Sequence, residues 1–444
     1  MIMCNNYSSK VISLDKALSL VKDGDHIVSG MAAAEPRDFI LNLYKIVDRC
    51  IKNVTVSNYF PLAEGKHLHD PDYIGKINVH SWFYTPQLRR GYSINAVSHI
   101  PHHLHSAGRK RRQHLKTDIF IANASPPDKH GFMSIALSAT YERAMREDAG
   151  MVILEINPNV PRTFGDVEVH INDVDYLIET DYPVPEIPDV EPNELDYKIG
   201  KLVADEIQDG DCIQLGVGGM PNAIAKSLYG KKDLGVHTEM LTNEMAKLAL
   251  AGVITGKYKK SYTGKMACTF ILGTRQLYDF VDDNPGVRVL SGDVVNDPYV
   301  IAQNDNQVSI NSSLEVDVTG QCASESIGTK QISGTGGQAD TAIGAQMSRN
   351  GRSYICLYST ATVKDKDGQP KTVSKIVPVL NQGAVVSLSR NDVDRVVTEY
   401  GIAELRGTSI RERVERLAAI AHPDFREDII RRSVELGIIG AAKW

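Results

Sequence analysis

The chain has 444 residues, of which 42% are hydrophobic and 23% charged, and its formal net charge is −6. This length exceeds that of one ordinary core, so two or three domains are expected, and the acidic balance argues against nucleic acid or an anionic membrane as the main partner. No apolar run is long enough to span a membrane and the first ten residues lack the apolar region of a signal peptide, which predicts a cytoplasmic protein.

The first predicted elements surround an Asp-Gly-Asp turn at residues 23–25. A helical run, this turn, an apolar strand and the small-residue loop SGMAAAEP (29–36) follow one another, and the same order recurs around the Asp-Gly-Asp turn at 209–211. Such a recurrence predicts two α/β halves of related topology. The first loop carries alanines where the second carries glycines, so only the second lets a ligand approach the backbone closely.

Further along, strands are predicted at 54–57, 117–123 and 151–156. Residues 182–194 then hold four prolines and four acidic residues, a composition typical of a stiff extended connector. We therefore place the domain boundary here, which gives an N-terminal domain of residues 1–190 and a C-terminal domain of residues 191–444.

The stretch 212–250 contains two predicted strand-to-helix junctions in succession. A strand at 212–215 runs into a glycine loop and a helix, and a second strand, 235–238, stops at Glu239. Ligands of open parallel sheets lie beyond the carboxyl ends of strands, so the glycine N–H groups and the Glu239 carboxylate are expected on the same rim. N–H groups stabilise an oxyanion and a carboxylate can act as a base or nucleophile, a pairing that suits acyl chemistry.

The rest of the second half contains predicted buried strands at 265–273, 287–293 and 354–358. A second glycine-rich loop, 330–340, precedes the last of these strands. Residues 406–437 are strongly helical with mixed charge, which is typical of packing and not of chemistry.

Each functional feature also has a plain structural interpretation. The loop 216–221 is a weak dinucleotide fingerprint, because Pro221 stands where a glycine is needed, and by itself it is a tight turn. Glu239 alone resembles many solvated, inert glutamates. The loop 333–337 is by itself a flexible loop, and its functional interpretation is a wall for a pantetheine or phosphate chain.

A histidine-rich segment, with histidines at 99, 102, 103 and 105, precedes the basic run 109–116. Pro101 breaks a helix here and the spacing lacks the order of a metal site, so a solvated loop is expected, with a nucleotide phosphate as the alternative contact. The six cysteines are scattered without a C-x-x-C pair, which favours reduced thiols over disulfides or a zinc site.

Several longer motifs run nearly from end to end, among them SPPDKHG, INPNVPRTFGD, LGVGGMP, GVHTEM, KQISGTGGQAD, SRNDVDRVVTEYGIAELRG and IAHPDFRE. In these motifs the chain resembles the acetyl-CoA hydrolase/transferase family of class I CoA-transferases, and within it the 4-hydroxybutyrate and butyryl-CoA:acetate branch. The resemblance implies two related open α/β domains of the NagB/RpiA/CoA-transferase type, the first on the side of the acyl pocket. It also implies a homo-oligomer, dimer or tetramer, and a glutamate that becomes acylated.

The resemblance further implies site residues, with Glu239 as the nucleophile. Backbone groups of the first glycine loop would contact CoA, with Gly218 and Gly219 as oxyanion donors; this loop comprises Gly216, Val217, Gly218, Gly219 and Met220. The second CoA loop would comprise Gly334, Gly336 and Gly337, and the acyl pocket Met31, Ala34, Glu35 and Phe60. No permanent cofactor and no metal are expected, since CoA is a substrate that becomes a glutamyl thioester.

The acid substrate is left open. Bulky side chains at Tyr59, Phe60 and 82–84 favour a short aliphatic acid such as butyrate or acetate. A dicarboxylate such as itaconate or succinate is the alternative, because Arg89 and Arg90 could pair with its second carboxylate. An acyl-CoA hydrolase, a non-catalytic acyl-CoA-binding protein and, more distantly, a nicotinamide-dependent dehydrogenase remain as alternative functions.

Overall fold

The computed structural model describes residues 7–441, and the chain divides into two compact units. Unit 1 comprises Met1–Pro188, Thr238–Ala246 and Lys265–Asn296, and unit 2 comprises Asp189–His237, Lys247–Gly264 and Asp297–Trp444. Two later segments thus pack with the first part of the chain, and one of them carries Glu239. The predicted domains, 1–190 and 191–444, stay a prediction, since a division into compact units is not a division into domains.

Unit 1 contains a parallel sheet of seven strands. In order across the sheet these are Val97–His99, Ile77–Ser81, Val54–Asn58, His26–Ser29, Ile119–Ala124, Met151–Ile156 and Tyr176–Glu179. Every residue of His26–Ser29 and Ile119–Ala124 is buried, as expected for central strands of a parallel sheet covered on both faces. The strands predicted from sequence in this half are confirmed with small shifts at their ends.

Helices cover the sheet of unit 1, and one apolar cluster includes Ile27, Val56 and Phe39. The α-helices are Leu14–Ser19, Arg37–Asn42, Pro86–Tyr92, Ala107–His114, Glu142–Glu147, Arg275–Val281 and Gly292–Val295. The 3-10 helices are Ala32–Ala34, Leu43–Arg49, Lys66–Leu68, Pro71–Tyr73, Leu104–Ser106 and Ile171–Asp173. Two strand pairs complete the unit, Phe132–Ser134 with Glu168–His170 and Met266–Ile271 with Val287–Val289.

The strand predicted at 287–293 is wrong beyond Val289. It ends there, and a short helix, Gly292–Val295, follows. Asp293 lies in the first turn of this helix, where the helix dipole favours a negative charge, so the last two residues of the predicted strand, Gly292 and Asp293, belong to a helix.

Unit 2 contains a second mainly parallel sheet. Across it lie Cys212–Leu215, Gln307–Ser312, Arg352–Cys356 and Arg395–Thr398, with Gly401–Glu404 antiparallel to the last. The first residues of Gly235–Leu241 pair in parallel with the other side of Cys212–Leu215. The strands predicted at 212–215 and 354–358 are thus present, the latter two residues earlier than expected, and the predicted α/β class holds in this unit as well.

The remaining elements of unit 2 are helices and short strands. Its helices are Glu194–Glu206, Gly219–Lys226, Pro298–Ile301, Gln338–Met347, Ile410–Ile420 and Pro423–Glu435, while Asn243–Leu250 belongs partly to each unit. The short strands are Glu315–Asp317, Cys322–Ala323, Ser326–Ile327, Lys330–Gln331, Thr360–Lys364, Pro370–Ser374 and Ile376–Val377. The last two helices confirm the predicted helical C-terminal part, and their buried residues Val414 and Ile429 share one core with Val396 and Leu405.

The two Asp-Gly-Asp turns have the same local structure. Gly24 and Gly210 have φ values of +79° and +81°, a conformation that favours glycine. Each glycine N–H donates to a lysine carbonyl at the start of the next strand region, Gly24 to Lys52 and Gly210 to Lys232. This equivalence supports the predicted relation between the two halves.

The predicted connector, residues 182–194, has no helix or strand until Glu194, the first residue of a helix. Among residues 7–441, no helix is both long and apolar enough to cross a membrane.

Candidate active site

Glu239 lies in unit 1, within the strand Gly235–Leu241, and its side chain is half-buried. The prediction that this strand stops before Glu239 is wrong, because Met240 and the buried Leu241 continue it. The side-chain amide of Asn296 donates a hydrogen bond of 3.2 Å to Oε2 of Glu239. Asn296 is fully buried, so this donor holds the carboxylate from a fixed position.

The segment of strand before Glu239 belongs to unit 2 and is anchored there. The side-chain amide of Gln307 donates to the carbonyl of His237 at 3.3 Å, and Asn304 Nδ2 lies 3.4 Å from Nδ1 of His237. All three side chains are buried. This anchoring restricts the backbone two residues before Glu239.

The first predicted CoA loop, 216–220, lies in unit 2 and connects the strand Cys212–Leu215 to the helix Gly219–Lys226. Gly218 precedes the helix with φ +119°, which excludes most side chains. A Cβ at Gly219 would overlap the carboxylate of Asp196. The loop therefore needs glycine at both positions, and the first helical turn leaves N–H groups that have no partner inside the helix.

Asp196 is itself held by two donors. It accepts the backbone N–H of Asn193 at 3.0 Å in the capping box of the helix Glu194–Glu206, and it accepts the hydroxyl of Tyr358 at 2.7 Å. Asp196 is buried, so its carboxylate cannot readily move away from Gly219. The N-x-x-D spacing of a capping box is present in the sequence, and it is the signal by which this residue can be found.

The second predicted CoA loop also lies in unit 2, where Gly334, Gly336 and Gly337 are buried and Gly337 precedes the helix Gln338–Met347. Gly336 has φ +58°. The buried side chain of Glu325 accepts the hydroxyls of Thr335 and Ser387, both at 2.8 Å. Glu325 thus fixes the loop from within, a role that sequence analysis missed.

A buried hydrogen-bond network connects the two glycine loops inside unit 2. The hydroxyl oxygen of Ser309 lies 3.0 Å from Oε1 of Gln214 and 2.9 Å from Oγ1 of Thr341, and its single proton is shared between these two contacts. Nδ2 of Asn311 also donates to Thr341, at 3.0 Å. Gln214 directly precedes the first loop region and Thr341 follows the second, so the network couples the positions of the two loops.

The first-half loop lies in unit 1 as the 3-10 helix Ala32–Ala34. Met31 and Ala34 are buried, and the N–H of Met31 donates to Oε1 of Glu142 at 2.9 Å. Burial raises the pKa of Glu142. Glu142 therefore holds the start of this loop, and no sequence motif indicated it.

Glu35 and Phe60 both line a cavity of about 680 Å³ in unit 1, whereas Met31, Ala34, Arg89 and Arg90 are not part of its wall. Glu35 is buried, and its Oε2 accepts the backbone N–H groups of Leu62 and Ala63 at 2.8 and 2.7 Å. Burial raises the pKa of Glu35 to about 7, although the two N–H donors act in the opposite direction.

Aromatic rings pack beside this cavity. The ring of Phe83 lies 5.2 Å from that of Phe60 and 5.8 Å from that of Tyr59, and Tyr59 lies 6.4 Å from Trp82. The rings of Tyr59, Phe60, Trp82 and Phe83 thus form one aromatic group, of which Phe60 belongs to the cavity wall.

The solvated loop predicted for the histidine-rich segment is wrong in its central part. His102 is buried with its ring edge-on to Tyr59, and burial lowers its pKa to about 3. Arg111 is buried too, and its Nε donates to the hydroxyl of Ser57 at 3.1 Å. The basic run forms the helix Ala107–His114, because it begins far enough after Pro101 to escape the effect of the proline. No cluster of metal-ligating side chains occurs anywhere between residues 7 and 441.

Comparison with known proteins extends over nearly the whole chain. Residues 3–188 match the family model of the acetyl-CoA hydrolase/transferase N-terminal domain, and residues 273–433 match that of the C-terminal domain. The chain is 39% identical to a succinyl-CoA:cyclohexane-1-carboxylate CoA transferase of Geobacter metallireducens, over 95% of this chain and 94% of the relative. It is also 39% identical to a 4-hydroxybutyrate coenzyme A transferase of Clostridium kluyveri, over 96% of this chain and 97% of the relative.

A similar fold occurs in the crystal structure of RipA from Yersinia pestis. The TM-score is 0.90 at 33% sequence identity, and the match covers 99% of this chain and 100% of RipA. The similarity therefore extends through both units.

Proposed function

The chain belongs to the acetyl-CoA hydrolase/transferase family, and we propose that it is a CoA-transferase with Glu239 as its nucleophile. It moves CoA between a short-chain acyl-CoA, of the butyryl-, acetyl- or 4-hydroxybutyryl-CoA type, and a free carboxylate such as acetate. The observation that supports this most directly is the half-buried carboxylate of Glu239 with a buried amide donor, Asn296, on one oxygen.

The proposed reaction conserves the thioester bond. The Glu239 carboxylate attacks the thioester carbonyl of acyl-CoA, the C–S bond breaks, and an acyl-glutamyl anhydride and the CoA thiolate form. The thiolate then attacks the glutamyl carbonyl, which releases the free acid and leaves a glutamyl-CoA thioester. A second acid reverses these steps, so the kinetics are ping-pong.

In this proposal backbone groups of unit 2 hold CoA. The loop 216–220 and the glycines at 334, 336 and 337 contact CoA, and the N–H groups of Gly218 and Gly219 donate to the oxyanion of each tetrahedral intermediate. The open space around Gly218 supports this assignment, because, apart from its chain neighbours, no described residue has an atom within 4 Å of the position that a Cβ would take there. Loss of one oxyanion donor typically reduces a rate about 100- to 1,000-fold.

CoA itself is the only cofactor-like group in the proposal, and no metal takes part. The strand Cys212–Leu215 and the start of Gly235–Leu241 are parallel neighbours, and both run toward the same edge of the sheet. Ligands of such sheets bind at the carboxyl ends of the strands, which supports the assignment of the loop 216–220 that follows Cys212–Leu215. We also propose a homo-oligomer, dimer or tetramer, in the cytoplasm; light scattering after size exclusion tests the oligomer.

The deciding experiment is covalent trapping. Wild-type protein is mixed with acetyl-CoA or butyryl-CoA, with and without borohydride, and its peptides are analysed by mass spectrometry. We expect a CoA adduct on the peptide that contains Glu239, and its reduction by borohydride to an alcohol at that residue. Glu239→Gln should give neither, whereas Glu168→Gln, on an exposed residue of the same unit, should behave as wild type.

Other outcomes separate the alternatives. CoA release that does not need an acceptor acid, without an adduct, would indicate a hydrolase. Binding of acyl-CoA without adduct or turnover would indicate a binding protein. Wild-type turnover by Glu239→Gln would show that the nucleophile is another residue.

A further inference from the structure

A segment of the proline-rich connector forms part of the cavity wall in unit 1. The sequence predicted this connector as a link between domains, but its residues 183–187 line the cavity of about 680 Å³. The rest of the wall comes from much earlier parts of the chain and includes Glu35 and Phe60, two residues expected at the acyl group. The connector is therefore part of a site, in addition to joining two parts of the chain.

The second half of this segment is fixed in position. Pro183 and Pro185 each restrict φ and so stiffen the backbone. The carbonyl of Pro185 accepts the hydroxyl of Tyr278 at 2.6 Å, and the N–H of Ile187 donates to the carbonyl of Gly273 at 3.0 Å. Tyr278 is buried within the helix Arg275–Val281, so these hydrogen bonds attach the connector to a packed element of unit 1.

The start of the segment is fixed by the side chain of Tyr182. Its hydroxyl donates to Oε2 of Glu155 at 2.7 Å and accepts the backbone N–H of Arg37 at 3.1 Å. Its carbonyl accepts Nδ2 of Asn157 at 2.9 Å. Arg37 also lines the cavity, so one hydroxyl connects two parts of the wall that are 145 residues apart in the chain.

Glu155 is itself held on its other oxygen. Oε1 accepts the backbone N–H of Phe39 at 2.7 Å, in the first turns of the helix Arg37–Asn42. Glu155 is fully buried in the strand Met151–Ile156, at the carboxyl end of the sheet. The carboxylate thus holds this helix and the connector at the same time.

We propose that residues 183–187 form a wall of the acyl pocket and that this wall limits the length of the acyl chain that the pocket accepts. The proposal rests on the proposed CoA-transferase function and names residues that select its acid substrate. Tyr182, Glu155 and Tyr278 are positioning residues in it, because they hold the wall in place and are not themselves part of the cavity lining.

The composition of the wall suits this role. Pro183, Val184, Pro185 and Ile187 offer apolar surface, which stabilises each methylene that finds room beside it. A methylene that meets a fixed wall is rejected, and one such group typically changes specificity about tenfold or more. A wall that loses an anchor yields more easily, so longer chains are then rejected less strongly.

Photolabelling tests whether an acid lies beside the connector. In 4,4-azipentanoate, a five-carbon acid, irradiation expels N₂ from the diazirine and leaves a carbene, which inserts into a neighbouring X–H bond. Peptide mass spectrometry then locates the label. We expect it on residues 183–187, and excess butyrate should prevent it. A label confined to other residues, or no label that butyrate displaces, would overturn the assignment of the wall.

Two isosteric variants test the positioning residues. Tyr182→Phe and Tyr278→Phe each remove one hydroxyl and keep the ring. Ligand-observed NMR titration measures the dissociation constants of acetate, butyrate, hexanoate and octanoate. In the wild type, affinity should rise with chain length to a limit and then fall. In each variant the affinity of octanoate relative to butyrate should rise at least about threefold, the size of one lost hydrogen bond, with acetate affinity unchanged.

The ratio of affinities separates positioning from a general loss of stability. A variant that is only less well folded binds every acid more weakly by the same factor and keeps the wild-type ratio. Tyr176→Phe, at a half-buried tyrosine in the edge strand of the same sheet, is the matched control and should also keep that ratio. An unchanged ratio in both test variants, or an equal change in the control, refutes the positioning role.

An assay of CoA transfer from acetyl-CoA to the same acids keeps the two proposals apart. The expected labelling and altered ratio without any transfer would retain the wall and reject the CoA-transferase function. Transfer with the wild-type dependence on chain length in both variants would reject the wall and retain the function. If no acid binds and none is a substrate, both proposals are wrong.

Discussion

The side-chain amide of Asn296 donates a hydrogen bond to Oε2 of Glu239, although 57 residues separate the two in the chain. Asn296 is itself the residue that follows the short helix Gly292–Val295, and its N–H donates to the carbonyl of Gly292. The helix thus positions the side-chain amide of Asn296 against the carboxylate of Glu239. The geometry of the proposed nucleophile therefore depends on a residue that no motif identified.

Asn296→Ala should lower kcat about tenfold or more and change KM less, because a hydrogen bond to a charged group that orients the nucleophile is lost. Steady-state kinetics with acetyl-CoA and butyrate measure both constants. Asn78→Ala, at a half-buried asparagine in the sheet of unit 1, is the control and should stay near wild-type activity. An unchanged kcat in a folded Asn296→Ala protein would show that the donor does not matter for turnover.

Gly219→Ala should destabilise unit 2 by about 1–3 kcal/mol, because the new Cβ overlaps the buried carboxylate of Asp196. The same shift of the loop should weaken CoA binding. Urea unfolding and calorimetric titration with CoA measure the two effects. Gly230→Ala serves as the control, since a Cβ there meets open space; equal behaviour of the two variants would contradict the steric argument.

Thr341→Val should weaken CoA binding about five- to thirtyfold while leaving the fold intact. The substitution removes the hydroxyl that links the helix Gln338–Met347 to Ser309 and Asn311, so the second glycine loop loses its hydrogen bonds to the strand beside the first loop. Thr362→Val, in the exposed hairpin strand Thr360–Lys364, is the matched control. CoA affinity equal to that of the wild type would mean that the network does not position the glycine loops.

Glu35→Gln should change how stability depends on pH. The pKa of Glu35 is about 7 in the folded protein and ordinarily about 4.5, so the folded state holds this proton more tightly than the unfolded state. The tighter binding of this proton adds to the free energy of unfolding. The addition is complete below about pH 4.5 and is lost as the pH rises through about 7, which lowers the free energy of unfolding by up to about 3 kcal/mol. Glutamine still offers an oxygen to both backbone donors and does not ionise.

As the pH rises from 5 to 8, the wild type should therefore lose stability that Glu35→Gln keeps. The free energy of unfolding of the variant should increase relative to that of the wild type over this change. Urea unfolding at both values measures this difference. Glu168→Gln changes an exposed carboxylate and should follow the wild-type profile. If Glu35→Gln follows that profile as well, the buried carboxyl is not the source of the pH dependence.

Local patterns in the sequence predicted the elements that surround the site. The Asp-Gly-Asp turns, the apolar strand at 212–215 and the helices near the C-terminus all follow from short-range chemistry, namely glycine conformation, proline placement and hydrophobic periodicity. The same patterns misplaced residues 290–293 and the end of the Glu239 strand. Leu-Ser-Gly-Asp at 290–293 and the charged Glu239 do not indicate by themselves where a strand ends, and tertiary packing determines it.

The sequence by itself determined the family, the α/β class and the identity of the proposed nucleophile, because those depend on ordered motifs and local propensities. Tertiary structure alone decided which distant groups meet. Asn296 reaches Glu239, Asp196 fills the space beside Gly219, and Glu35 turns one oxygen to two backbone donors. Such contacts join residues far apart in the chain, and they form because buried polar groups need a hydrogen-bond partner within the protein.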